Sequence, residues 1–98
     1  MKGIYKKIKE DKLSELSEML KALAHPARLR IVACLLDNEC NVASIQNEMV
    51  LPQSTVSQHL AILRKQKILK AERQGTQVCY RVVDPRVPEI IKMIAEER

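Results

Sequence analysis

Residues 51–63 read Leu51-Pro52-Gln53-Ser54-Thr55-Val56-Ser57-Gln58-His59-Leu60-Ala61-Ile62-Leu63. Val56, Leu60 and Leu63 recur at helical spacing and make one apolar face. Gln53, Ser54, Ser57 and Gln58 fall on the other side, and none of them is charged. Short hydroxyls and amides both donate and accept hydrogen bonds, which suits the donor–acceptor pattern of base edges in a DNA major groove. A merely solvated helix face more often carries Lys and Glu. An ordinary amphipathic helix shows the same periodicity, so the rest of the chain has to decide between the two readings.

The charge supports the first. The net charge is +5, and residues 53–82 hold six basic groups against Glu72 alone. Residues 1–12 hold five Lys against Glu10 and Asp11, whereas residues 13–52 and 83–98 are net acidic. The basic excess therefore falls on the candidate recognition helix and the segment after it, as a footprint for phosphate requires. The chain contains no Phe and no Trp, so stacking on single-stranded bases, which needs aromatic platforms, is not expected.

Ninety-eight residues make one domain with a small aliphatic core, a size at which dimerisation helps stability. Residues 1–10 read as a flexible basic arm and 11–98 as the folded domain. The spacing of Leu13, Leu16, Leu20 and Leu23 predicts a helix from about Lys12 to Ala24, with Asp11 as candidate N-cap. His25 precedes a proline and breaks that helix, and Pro26 then suits the first turn of the next, which runs to about Leu36. A short helix over about Val42–Met49 comes next, then the helix quoted above, ending near Lys67. Residues 68–73 and 77–82 alternate with period two around Gln74-Gly75-Thr76, which predicts a β-hairpin. Asp84-Pro85 opens a last helix, about Arg86 to Glu96, with Val87, Ile90, Ile91 and Ile94 on one face.

The order is helix, helix, helix, recognition helix, two-stranded wing, helix. It predicts a mainly α protein with a small β-hairpin, assembled as a winged helix-turn-helix. Leu13, Leu16, Leu20 and Leu23 on the first helix, and Val87, Ile90, Ile91 and Ile94 on the last, form stripes that a core of this size does not obviously cover. They are expected to make a homodimer interface presenting two recognition helices about one DNA turn apart.

Four stretches resemble the ArsR/SmtB family of bacterial winged-helix repressors. They are residues 20–32 (Leu-Lys-Ala-Leu-Ala-His-Pro-Ala-Arg-Leu-Arg-Ile-Val), Val42-Ala43-Ser44-Ile45, Leu51 to Leu60, and Arg73-Gln74-Gly75 followed by Tyr80. The resemblance covers roughly residues 15–83 and implies a homodimeric repressor that occupies operator DNA in the bacterial cytoplasm and is often released by an effector. It implies that Gln53, Ser54, Thr55, Ser57, Gln58 and His59 touch bases or phosphates. Arg64 at the end of the recognition helix and Arg73, Gln74 and Thr76 on the wing complete the expected DNA-facing set. The chain departs from the family's pattern at two places. Val50 stands where the turn often has Gly, and Pro52 where a capping Ser is common. A β-branched residue resists positive φ, so this turn either avoids the left-handed conformation or stores strain.

Few residues qualify for an effector site. Asn41 and Ala43 stand where the family's arsenic-type thiolates fall, and the last helix has no His for a zinc-type site. Zinc needs about four converging N or S ligands, so neither a metal nor another cofactor is expected, which matches the family's metal-site-lacking members. Cys34, Cys40 and Cys79 are an odd number at wide spacing, which argues for a reducing compartment rather than a secreted disulfide framework. They are candidate sensor thiols for an oxidant or reactive sulfur signal. Buried packing is the competing role for Cys34 and Cys79, and Cys40 is expected to be the most exposed. His25 is expected to be a structural hydrogen-bonder. No signal peptide or membrane span is legible, and no nucleophile–base constellation suggests an enzyme. A protein-binding winged helix and a metal-released repressor are the alternative functions.

Overall fold

A computed structural model describes residues 2–38 and 42–96. A single helical turn, α1 (Ile4–Lys7), lies within the basic arm and is exposed along its length. The longest helix, α2 (Glu10–Leu23), starts two residues earlier than its leucine spacing suggests. Lys9 is its N-cap, and Glu10 and Asp11 occupy the first turn. Asp11 is thus inside the helix, where its carboxylate favours the positive end of the dipole without capping.

The second long helix, α3 (Pro26–Asp37), begins where the sequence places it. His25 is the N-cap, its Nδ1 accepts a hydrogen bond from the Ala27 amide at 3.1 Å, and proline opens the first turn. Next comes α4 (Val42–Met49), then the recognition helix α5 (Gln53–Lys65). The wing is an antiparallel pair, β1 (Leu69–Gln74) and β2 (Gln77–Val82), in register from Leu69↔Val82 to Gln74↔Gln77. Gly75 takes φ 64 at the first position of the two-residue turn, where a hairpin with this connection needs positive φ. The chain ends in α6 (Arg86–Ala95). Asp84 fixes its start: one carboxylate oxygen accepts from the Arg86 amide at 2.9 Å and the other pairs with its guanidinium at 2.8 Å. That hydrogen bonding to Arg86 holds the Asp84 carboxyl below its ordinary range.

The core is aliphatic. Ile31, Val32 and Leu35 of α3 meet Ile45 of α4, Val56, Leu60 and Leu63 of α5, and Ile68 and Leu69 at the base of the wing. The recognition helix stops in a Schellman arrangement. Lys67 takes φ 61, its amide donates to the Arg64 carbonyl, and the Ile68 amide donates to the Leu63 carbonyl. Leu63 and Ile68, the apolar pair that accompanies this motif, are both fully buried.

Two of the expected dimer residues belong to this core instead. Leu23 is 3% exposed and Val87 fully buried, packed within one protomer. Each lies on the edge of its stripe that faces its own core, so neither is available to a partner. Leu16, Ile90 and Ile91 are half-buried against the same cluster, whereas Leu13, Leu20 and Ile94 remain exposed.

The turn between α4 and α5 settles the question raised by Val50. Val50 has φ 49, and its amide donates to the Gln46 carbonyl at 3.1 Å, a left-handed cap on α4. The side chain is 86% exposed, so packing offers little to offset the strain. A non-glycine residue held there costs about 1–3 kcal/mol. Val50→Gly is therefore expected to raise unfolding stability by about 1 kcal/mol after the extra chain entropy of glycine is subtracted. Urea denaturation measures it, and an unchanged or lowered midpoint would show that the turn is not strained.

Candidate nucleic-acid interface

Pro52 is the N-cap of α5, and no side chain hydrogen-bonds to the helix start. Its carbonyl accepts from the Thr55 and Val56 amides at 3.0 and 3.2 Å. With φ −57, proline presets the first helical turn while offering no side-chain acceptor. The start of α5 thus carries the positive end of the helix dipole without a capping oxygen.

Val56, Leu60 and Leu63 hold the inner face of α5 to the core. Gln53, Ser54, Ser57 and Gln58 are consequently exposed together on the outer face, with Arg64 exposed near the far end. Thr55 is half-buried. Arg73, Gln74 and Thr76 are exposed at the tip of the wing. Further down the hairpin, Glu72 lies 3.8 Å from Lys70 and 3.5 Å from Arg81, which partly neutralises that stretch.

His59 does not join the exposed set. It is 9% exposed and faces inward. Its Nδ1 accepts from Arg28 Nε at 3.3 Å, and its ring lies 4.7 Å from that of His25. Arg28 Nη1 also donates to the Ala22 carbonyl at 3.4 Å. Burial, followed by the charges of His25 and Arg28, pushes the His59 imidazole below its ordinary pKa. Sequence reading missed this cluster. The one available signal was that His59 sits at helical spacing between Val56 and Leu63, on the apolar face.

The cysteines occupy different settings. Cys79, expected as a packed thiol, is buried on β2 and disulfide-bonded. Cys34 on α3 is a half-buried thiol. Cys40 lies outside the described residues. Among the described residues, no group of three or more His, Cys, Asp and Glu side chains is arranged to hold a metal ion. None of the described helices is long and apolar enough to cross a membrane.

Two apolar hollows are lined by residues outside the recognition helix and the wing. One, of about 470 Å³, is lined chiefly by Ile8, Leu13, Leu16, Leu20 and Ala24. The other, of about 350 Å³, lies between α3 and α6 and is lined by Pro26, Leu29, Ala33, Ile91 and Ile94 among others.

The pattern of the family described as "Bacterial regulatory protein, arsR family" matches residues 25–71, from the α3 cap through the first residues of the wing. The transcriptional repressor PagR of Bacillus anthracis is 45% identical over 89 residues, covering 90% of this chain and 89% of PagR. The chain belongs to the ArsR family. Membership makes it a DNA-binding transcriptional repressor of winged helix-turn-helix architecture rather than an enzyme. The crystal structure of PagR superposes with a TM-score of 0.79 at 42% identity, covering 88% of this chain and 99% of PagR. Reduced HlyU from Vibrio cholerae gives a TM-score of 0.78 at 33% identity, covering 87% and 90% of the two chains. The homodimeric winged helix-turn-helix domain of Mb0332 from Mycobacterium bovis gives 0.75 at 26% identity, covering 90% and 84%. In this ArsR chain, α5 is the recognition helix and the β1–β2 hairpin is the wing.

Proposed function

We propose that two copies of this chain occupy a near-palindromic operator, with Gln53, Ser54, Ser57 and Gln58 of each α5 in successive major grooves. The observation that carries this reading is the exposed, uncharged donor–acceptor face of α5 beside a basic wing. Base edges are read by such groups, whereas Arg64, Arg73, Gln74 and Thr76 suit phosphate and sugar contacts. Thr55, half-buried at the helix start, suits a backbone contact. The exposed Leu13, Leu20 and Ile94 support the dimer, and the description of Mb0332 as homodimeric agrees with it.

Release by thiol oxidation completes the reading. Cys79 is disulfide-bonded on the wing strand, and the relative HlyU has a structure described as reduced. When peroxide oxidises two thiols, they lose two protons and two electrons to form the S–S bond, and the peroxide leaves as two waters. A disulfide on β2 ties the wing to another part of the chain, so its formation or reduction bears directly on the wing's approach to DNA. Cys40 and Cys34 are the other thiols the chain can supply.

Fluorescence anisotropy with a duplex enriched from a random pool tests both parts. Affinity is expected to fall steeply with salt, the slope on a logarithmic plot being about −0.9 per phosphate neutralised. Starting from protein reduced with dithiothreitol, peroxide is expected to change affinity in the wild type but not in Cys79→Ser. Absence of duplex binding at low salt rejects the operator reading. An undiminished peroxide response in Cys79→Ser rejects the thiol reading and leaves the operator reading standing.

A further inference from the structure

We propose that His25, Arg28 and His59 form a lock that positions the recognition helix, and that it grips only while the His59 imidazole is neutral, so that mild acid loosens the protein from DNA. The proposal rests on the reading of the α5 outer face as the DNA-reading surface.

The lock joins three segments. His59 comes from the inner face of α5, Arg28 from the first turn of α3, and the Ala22 carbonyl from the last turn of α2. His25 lies at the junction of α2 and α3, its ring tilted 56° to that of His59. The outer side chains Ser57 and Gln58 stand beside His59 in sequence, so their direction depends on where His59 is fastened. Ala24 and Pro26, which flank His25, line the two apolar hollows. The lock thus sits between the face offered to a second copy and the face offered to DNA.

The hydrogen bonds dictate the protonation state. Each ring accepts at Nδ1, His25 from the Ala27 amide and His59 from Arg28. A ring nitrogen that accepts carries no proton, so both rings hold their hydrogen on Nε2. Protonating His59 places an N–H against the Arg28 N–H and adds a positive charge beside a guanidinium. The charges acting on the His59 imidazole are those of His25 and Arg28, and both oppose its protonation. On α2, Glu18 and Lys21 line an adjoining hollow with Arg28 and pair with each other at 3.4 Å at the surface. Ile45, Gln46, Asn47 and Met49, the described side chains of α4, do not titrate. No charge on β1 is among those shifting His59.

Linkage gives the sign. The folded imidazole titrates below its ordinary value of 6.5, so the unfolded chain binds more protons in that window. The stability of the locked form is fully present above about pH 6.5 and is lost as pH falls through the folded value. DNA affinity is expected to fall with it. This sign is diagnostic, because an exposed histidine that gains a proton adds positive charge and tightens binding to phosphate. The chain has only these two histidines.

The test measures anisotropy of the enriched duplex from about pH 7.5 to about pH 5.5 at fixed salt, a span in which histidine is the side chain that ordinarily titrates. Wild-type affinity is expected to fall across this span, by up to about tenfold for each pH unit below the point at which His59 takes up its proton. His59→Asn puts a carbonyl oxygen near the place of Nδ1 and cannot titrate. It is expected to bind within about threefold of wild type at neutral pH and to show a flat profile. His59→Leu, buried but without an acceptor, is expected to bind weakly throughout. Circular dichroism at each pH reports whether the variants remain folded. Long-range ¹H–¹⁵N spectra of the wild type provide a readout that needs no variant: both rings should be Nε2–H tautomers, and the Ser57 and Gln58 amides should move with the His59 titration. A pH slope in His59→Asn equal to that of wild type, tighter binding in acid, or an Nδ1–H tautomer at His59 overturns the proposal. Stationary Ser57 and Gln58 amides overturn it as well. Absence of duplex binding at every pH counts against the DNA-reading face, and the spectra still decide the lock.

Discussion

Leu20→Lys combined with Ile94→Lys is expected to yield a folded monomer whose operator affinity has fallen by about a hundredfold to ten-thousandfold, the range over which linking two binding modules multiplies affinity. Both side chains are half exposed, at 51% and 50%, so a lysine can extend into water without disturbing the protomer. The loss arises between copies. Fully burying one such aliphatic side chain contributes about 1.5–3 kcal/mol. A lysine facing its own image across a two-fold axis both removes that gain and adds like-charge repulsion. Sedimentation velocity reads the oligomeric state and anisotropy reads the affinity. A variant that stays dimeric, or a monomer that binds as tightly as wild type, would reject this placement of the interface. Leu23→Lys and Val87→Lys provide the contrast. They lie on the same two stripes but are buried within one protomer, so they should lower the unfolding midpoint before they affect association.

That contrast marks how far the sequence could be read. The order of elements was legible because the apolar period changes from helical to alternating after Lys67 and because proline and glycine punctuate the chain at Pro26, Pro52 and Gly75. The membership of each stripe was legible too. Which edge of a stripe meets its own core is a tertiary fact, and the leucine spacing of α2 is the same whether Leu23 points at α3 or at a second copy. His59 shows the same limit in the candidate site. The family resemblance implied a DNA contact, yet the run Val56, His59, Leu60, Leu63 is the i, i+3, i+4, i+7 pattern of a buried face. A polar residue in that pattern requires a partner, and the partner, Arg28, lies 31 residues earlier, beyond the reach of periodicity. For Val50, the sequence framed the alternatives and φ 49 chose between them. The bonded state of Cys79 was not legible at all, because counting thiols constrains a compartment and not a pairing.

Gln58→Ala and Ser57→Ala are expected to lower the preference for operator over random DNA, with a cost on the operator of about 1–3 kcal/mol where Gln58 loses a bidentate base contact and less for the single hydroxyl of Ser57, and little change on random duplex. Both side chains are exposed on α5, and the residues after Gln58, His59 and Leu60, are buried and fix the helix in place. Truncating an outer side chain therefore removes its contact without tilting the helix. Arg73→Ala is expected to behave differently. An exposed guanidinium at the wing tip suits a charge contact to the backbone, which is the same on every sequence. Its loss should weaken operator and random DNA alike and reduce the salt slope by about one. Competition anisotropy against both duplexes at two salt concentrations separates the patterns. If Ser57→Ala and Gln58→Ala weakened operator and random DNA equally, α5 would be a phosphate-binding helix and the source of specificity would have to be sought in the wing. The uncharged face argues against that outcome. A helix selected to grip phosphate without reading bases would gain from lysine or arginine at positions 53, 54, 57 and 58, and this chain has an amide or hydroxyl at each of them.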